Sequence, residues 1–220
     1  LFNNSDYHDV DTQRLFTGLE WRIDERWLLD IGTTIEDSSL TSRETSPRLS
    51  IIHKLSRDQA LRFVVSKAKR NPILWERESL SIFSGDIAGF GPATVKSFQG
   101  NPDLIPEDIV SYELGIRSEL ADKNISSDIK LFTYKITDHI VDVGLTEIHP
   151  IFGPLPVSSF DNQGSTRVTG IEFSFDYSPR RNLDFKVGSS LVNAESTNAD
   201  FDLSFPSFTG FFNTRYRWLK

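Results

Sequence analysis

No cysteine occurs in the 220 residues, which removes a disulfide framework, a thiolate metal site and a cysteine nucleophile in one step. Compartment stays open on that ground. Methionine is absent as well, and with Leu1 first the chain is expected to lack its native start, so the absence of a visible signal peptide is in keeping. No run of about 18 apolar residues exists, hence no transmembrane helix. A membrane strand needs only about 9 to 11 alternating residues, so a barrel is not thereby excluded. Basic residues are not in excess: 24 Lys and Arg against 31 Asp and Glu leave a net charge of −7. Without a basic stripe to neutralise phosphates, no nucleic acid partner is expected. His8, His53, His139 and His149 lack metal-ligand spacing, and neither a nucleophile motif nor a phosphate-cradling glycine loop occurs. The sequence therefore predicts no enzyme, no catalytic residue, no metal site and no cofactor.

What is present is alternation. Aromatics make up 12%, with 17 Phe, 5 Tyr and 4 Trp, an excess that suits strands and membrane-interface girdles alike. In residues 107–120, Tyr112, Leu114 and Ile116 share one face while Ser111, Glu113, Gly115 and Arg117 share the other. The same period of two runs through residues 13–23, 27–36, 48–55, 60–69, 165–177, 183–191 and 208–218, and less regularly through 125–143. These make about nine strands, several longer than the usual five or six residues. Short polar turns at 24–26, 56–58, 121–124 and 178–182 alternate with longer connections at 37–46, 70–110, 144–164 and 197–206. In an antiparallel meander every short turn then lies at one end and every long loop at the other. The 70–110 stretch, with Pro72, Pro92, Pro102 and Pro106, is expected to be an ordered functional loop.

Alternation alone fits a soluble β-sandwich as well as a membrane barrel. Long strands, unequal rims and aromatics near strand ends (Trp21, Trp27, Tyr112, Tyr177, Tyr216, Trp218) favour the barrel. Arg14, Glu20, Arg22, Arg62, Glu113, Arg117, Glu172 and Lys186 would then face a polar lumen. In lipid only a closed barrel pairs every strand edge, and nine strands with termini at opposite ends do not close, so the chain is expected to be part of a larger barrel.

Asn101-Pro102-Asp103-Leu104, Pro106-Glu107 and Ser111-Tyr112-Glu113-Leu114-Gly115 resemble the NPDLxPE…SYELG stretch of TonB-dependent outer-membrane receptors. Ser46-Pro47-Arg48-Leu49, the SKAKRNPIL run 66–74, Leu131-Phe132 with Asp138-His139-Ile140, and Asn162-Gln163-Gly164 with Gly170-Ile171-Glu172 match in the family's order. The resemblance implies an all-β fold, a partial barrel domain over 1–220 within a wall of about 22 strands, with the plug domain and closing strands elsewhere. It implies location in the outer membrane of a Gram-negative bacterium, with lipid around the wall. It also implies uptake of a scarce extracellular ligand such as a ferric siderophore, energised by TonB with ExbB and ExbD through a region N-terminal to this chain. A passive porin-like or adhesin barrel, or a secreted carbohydrate-binding sandwich, are the competing readings.

Ligand contacts are expected in the elaborated loops: Trp75, Arg77, Phe90 and Phe98 in the first, His149 and Phe152 in the second. An aromatic can stack on a planar chelator and an arginine can pair with an anionic one. Each is also readable, and more readily, as a residue that orders its loop or faces lipopolysaccharide. The NPDL…SYELG residues are expected to fix register where loop becomes strand.

Overall fold

The computed structural model describes residues 9–87, 91–197 and 206–218. Its strands are β1 (Thr12–Arg22), β2 (Trp27–Ser38), β3 (Thr41–Lys54), β4 (Gln59–Arg70), β5 (Leu80–Ile87), β6 (Gly91–Gln99), β7 (Glu107–Leu120), β8 (Ile125–Thr137), β9 (Ile140–His149), β10 (Gly153–Asn162), β11 (Ser165–Arg180), β12 (Leu183–Ser196) and β13 (Phe208–Tyr216). One short helix, α1 (Leu74–Glu78), precedes β5.

Nine strands form one antiparallel meander in the order β1-β2-β3-β4-β7-β8-β11-β12-β13. This is the wall that the period-two pattern predicts. Register carries one apolar row across it: Phe63 lies opposite Leu114, Leu114 opposite Leu131, Leu131 opposite Ile171, and Ile171 opposite Leu191. The row is bare, with Leu114 42% exposed, Leu131 49% and Leu191 54%. A sandwich would cover such a face with a second sheet. Among the described residues the buried apolar side chains are Val64, Pro72, Ala93, Leu104, Phe132 and Val157, and Val64 and Phe132 belong to the opposite, polar face. That face carries Glu113, Arg62 and the Lys130–Glu172 pair at 2.7 Å. Whatever covers the apolar face therefore lies outside the described residues. Gly170 belongs to the polar face, where a Cβ would come within 2.5 Å of the Phe132 ring, so the ring packs flat across the ladder only because that position is glycine.

The short turns fall at one end. Asp24 closes the first of them by accepting the Arg26 and Trp27 amides at 2.7 and 2.8 Å, and these two bonds hold its carboxyl below the ordinary aspartate range. Beside it Trp27 and His53 stack with ring centres 4.0 Å apart.

At the other end three expectations change. Residues 37–46 are not an open connection: β2 and β3 run on and turn through Ser39 and Leu40, because a Ser/Thr-rich stretch with no apolar face still pairs as strand. Pro47 sits inside β3 opposite Thr33, and pairing to β4 stops one residue later at Arg48 with Ser66, so its missing N–H interrupts no ladder on that side. The 125–143 segment breaks at Asp138, whose φ is +59°, into β8 and β9. The 70–110 and 144–164 connections are built of α1, β5–β6 and β9–β10, which assemble into a second, four-stranded sheet in the order β5-β6-β10-β9. Their strands are short and turn-rich, and β6 meets β10 in parallel at a single pair, Phe98 with Ser158, so no long alternation announces them.

Candidate functional site

The second sheet stands on a polar joint at the mouth of the wall. Arg70 ends β4 directly opposite Glu107, which begins β7. Glu107 lies five residues above Tyr112, about 17 Å along the strand and beyond the apolar rows. The Arg70 guanidinium grips it with both arms, Nε to Oε2 at 2.8 Å and Nη2 to Oε1 at 3.0 Å. Its remaining arm reaches Glu76 of α1 at 3.1 Å. Glu76 in turn accepts the Ile73 amide at 2.8 Å and so starts the helix. Glu107 accepts a further bond, from the Ile140 amide at 2.9 Å, which ties in β9. Buried His139 joins Thr166 through Nε2 at 2.8 Å and brings Nδ1 to 3.8 Å from Glu107. Burial pushes the Glu107 carboxyl up, but Arg70 and the Ile140 amide outweigh it and hold the carboxyl below the ordinary glutamate range. Arg70 is correspondingly raised.

Two asparagines complete the joint. Asn101 donates from Nδ2 to the Phe160 carbonyl at 2.9 Å, accepts the Asp103 amide at 3.0 Å, and gives its own amide to Glu76 O at 2.9 Å. Asn162 accepts the Ile105 amide at 2.8 Å and donates to the carbonyls of Ile105 and Asp138 at 2.9 and 2.8 Å. Leu104, 2% exposed, and fully buried Pro72 fill the space between. Gly100 must be glycine, since a Cβ would lie 2.6 Å from the Arg77 carbonyl carbon and oxygen. The family-motif residues Asn101, Leu104 and Glu107 are thus joint residues. Pro102, Asp103 and Pro106 carry the turn between them, and Ser111 bonds Ser66 Oγ at 2.6 Å. Tyr112 and Leu114 stand on the bare outer face, Glu113 and Gly115 on the polar one.

The six loop candidates fall into distinct places. Trp75 and Phe98 are brought together, stacked at 4.9 Å and 12°, and Phe160 meets Phe98 edge-on at 5.4 Å. His149 and Phe152 stack at 4.8 Å. Arg77 is turned inward, donating Nη1 to the carbonyls of Leu40 and Leu104. Phe90 lies outside the described residues.

His149 borders a cleft of about 190 Å³ on the second sheet, lined among others by Ile82, Thr94, Lys96, Glu147 and Val157. Its Nε2 meets the Thr94 carbonyl at 3.1 Å and its Nδ1 accepts the Ile151 and Phe152 amides at 3.2 and 3.4 Å, which fixes the tautomer with the proton on Nε2. Lys96 is held by Glu147 at 3.0 Å and Gln99 at 2.8 Å. Sequence reading missed Thr94, Lys96 and Glu147, which sit in short strands with no period, and missed Arg70, Glu76 and His139, which only the fold brings to Glu107. The surface offers noncovalent recognition by aromatic faces, apolar side chains and a paired cation. No group of three or more potential metal ligands occurs among the described residues.

Comparison with known proteins bears on this arrangement. A family model described as "TonB dependent receptor-like, beta-barrel" matches residues 1–219. Similar folds include the siderophore receptor PirA from Pseudomonas aeruginosa, 17% identical with a TM-score of 0.69, over 84% of this chain and 34% of that one. PirA from Acinetobacter baumannii is 18% identical with a TM-score of 0.68, over 93% and 31%. The RagAB peptide transporter is 16% identical with a TM-score of 0.68, over 88% and 23%. The chain therefore spans about a third or less of the length of these structures. No curated protein sequence matches.

Proposed function

This chain belongs to the TonB-dependent receptor-like β-barrel family, and on that footing we propose that it supplies wall and outer face to a Gram-negative outer-membrane receptor. The receptor takes up a scarce extracellular ligand, a ferric siderophore or a similar chelate, and draws energy from TonB, ExbB and ExbD through a region N-terminal to this chain. The observation that carries this reading is the pairing of a bare apolar wall face with a folded sheet on one rim only. A passive pore has no need of such a superstructure anchored by half-buried ion pairs. Trp75 with Phe98, and His149 with Phe152, are the proposed ligand contacts, offering flat faces to a planar chelating group. Arg77 contributes by fixing the sheet's base through Nη1, which donates to the carbonyls of Leu40 and Leu104.

The test is growth and iron accumulation under iron limitation with the full-length receptor as the only uptake route for a supplied siderophore. Loss of uptake on deleting residues 74–99, with the barrel still assembled, supports the reading. Unchanged uptake of every siderophore tried, with transport of peptides instead, would shift the ligand class toward that named for RagAB.

A further inference from the structure

β9 ends the outer sheet, so one of its two edges has no neighbouring strand among the described residues. Its register against β10 fixes which backbone groups lie there. Pro154 and Pro156, which have no N–H, stand opposite Ile148 and Thr146, and in an antiparallel pair prolines fit the positions whose ladder groups turn away from the partner. The lower end of the hairpin sets the same phase. Gln163 gives its amide to the His139 carbonyl at 2.7 Å, the Phe160 carbonyl turns away from β9 to Asn101, and the Ile140 amide turns away from β10 to Glu107. Asp142, Gly144, Thr146 and Ile148 therefore turn both N–H and C=O to the open edge.

That edge lacks the usual protections. β9 contains no proline, lysine or arginine, and its pairing with β10 runs without a bulge, whereas β5, the opposite edge strand, is interrupted by a register shift between Ser81 and Ile82. Gly144, Leu145, Thr146, Glu147 and Ile148 are all exposed, and a Cβ at Gly144 would meet nothing within 4 Å. The open row is bounded at both ends. Below it Glu107 already holds the Ile140 amide, and above it the chain turns at 150–152, where His149 accepts the amides of Ile151 and Phe152. Between those limits residues 142–148 span about 20 Å, the length of a strand of about seven residues. Ile148, 79% exposed, and Leu145, 47%, flank the row with apolar side chains on opposite faces. Asp142, exposed and in no ion pair among the described residues, puts a negative charge at its lower end.

We infer that the open edge of β9 captures a short extended peptide carrying a basic residue, which adds to the outer sheet as a further strand. Backbone hydrogen bonds supply the affinity, while Leu145, Ile148 and Asp142 select apolar and basic side chains. The inference stands on the outer sheet alone and depends neither on the membrane placement nor on the transported ligand proposed above.

The experiment uses the full-length receptor in detergent and a fluorescent, end-blocked peptide of about seven residues that alternates valine with threonine and carries a lysine at each end, so that either strand direction brings a lysine to Asp142. A second probe keeps every side chain but has its interior amides replaced by esters, which removes the N–H donors. The expected result is binding at least about 10-fold weaker for the ester probe, about 5- to 10-fold weaker for the peptide on Thr146→Pro, and about 2- to 5-fold weaker on Asp142→Asn, with Thr146→Val within about 2-fold of wild type. Saturating peptide slows amide exchange at Gly144 and Thr146 and leaves Val143 and Leu145, whose amides already face β10, as they were. Retained protection at Leu145 shows that the hairpin survives Thr146→Pro, and if it does not, the comparison of the two probes on wild type still decides. Equal binding of the two probes overturns the inference, as does slowed exchange elsewhere on the outer sheet with none at Gly144 and Thr146. Absence of peptide binding to wild type also overturns it, because another part of the receptor then covers the edge. Undiminished affinity in Asp142→Asn overturns the selection of a basic residue.

Discussion

Replacing Glu107 by Gln should loosen the outer sheet without loosening the wall. The amide keeps the shape of the side chain but loses the charge that Arg70 grips at 2.8 and 3.0 Å. Hydrogen bonds to charged groups contribute about 1.5 to 3 kcal/mol each. The Arg70 side chain keeps 40% exposure, so water recovers part of the loss, and a discounted cost is about 2 kcal/mol. That corresponds to roughly a 30-fold rise in the population of the open joint. Amide hydrogen exchange in the full-length receptor reads it directly. The Ile140 amide, which donates to Glu107, and the amides of β9 and β10 should exchange about 30-fold faster, while those of Leu114 and Leu131 in the wall stay unchanged. Unchanged exchange at Ile140 would refute the assigned role, and uniform acceleration across wall and sheet would refute the separation of joint from wall. Acidity adds a second axis. The Glu107 carboxyl is lowered in the folded protein, so its stabilising share is complete above the ordinary glutamate value of about 4.3 and is lost as pH falls through the lower folded value. Protection of Ile140 should therefore be flat from neutral pH to about 5 and fall below about 4, and Glu107→Gln should abolish that fall.

Other positions test other links of the chain from sequence to structure. Gly100→Ala places a methyl against the Arg77 backbone, where nothing flexible can give way, and should cost roughly 2 kcal/mol locally, seen as protease cutting within 74–99 while the barrel stays resistant. Leu131→Arg puts a charge on the bare outer row and should lower barrel stability by about 2 to 4 kcal/mol in a detergent or liposome refolding titration, whereas Glu172→Gln on the polar face should change it by under about 1 kcal/mol. Gly170→Ala should clash with the Phe132 ring and with the Leu191 carbonyl oxygen, 2.5 and 2.7 Å from the added Cβ, at a cost of about 1 to 3 kcal/mol, and pairing it with Phe132→Leu should restore only the ring's share in the same titration.

The wall was legible because a membrane strand writes its two faces into alternate residues. Leu114 and Glu113 need no tertiary information to be assigned to opposite sides, and the row from Phe63 to Leu191 confirms the phase on five strands. The outer sheet was not legible for the complementary reason. In β5, β6, β9 and β10, which form a sheet apart from the wall, apolar residues are placed by local contacts such as Trp75 on Phe98 and follow no period. The break at Asp138 is a single left-handed residue in an otherwise continuous alternating run, which a pattern reader passes over. Arg77 illustrates the limit for sites: residue type suggested an anion contact, and only the fold shows that its Nη1 also donates to the carbonyls of Leu40 and Leu104.

That the NPDL…PE residues lie in the joint, and not on the candidate ligand surface, follows from a problem every elaborated rim has to solve. Where β4 leaves the wall and β7 re-enters it, ladder hydrogen bonds stop and backbone groups of the linking residues 71–73, 100–106 and 138–139 would be left unpaired in a crowded, half-buried place. Asn101 and Asn162 answer this with side chains that imitate a strand's donor and acceptor, each bonding backbone on another segment. Glu107 does the same for Ile140 while pairing with Arg70, which also reaches Glu76 of the first excursion. These demands depend on the geometry of departure and return, and hardly on what the outer sheet binds. A change of ligand can therefore be accommodated in β5, β6, β9 and β10, around Phe98 and His149, without disturbing the residues that hold the sheet to the wall.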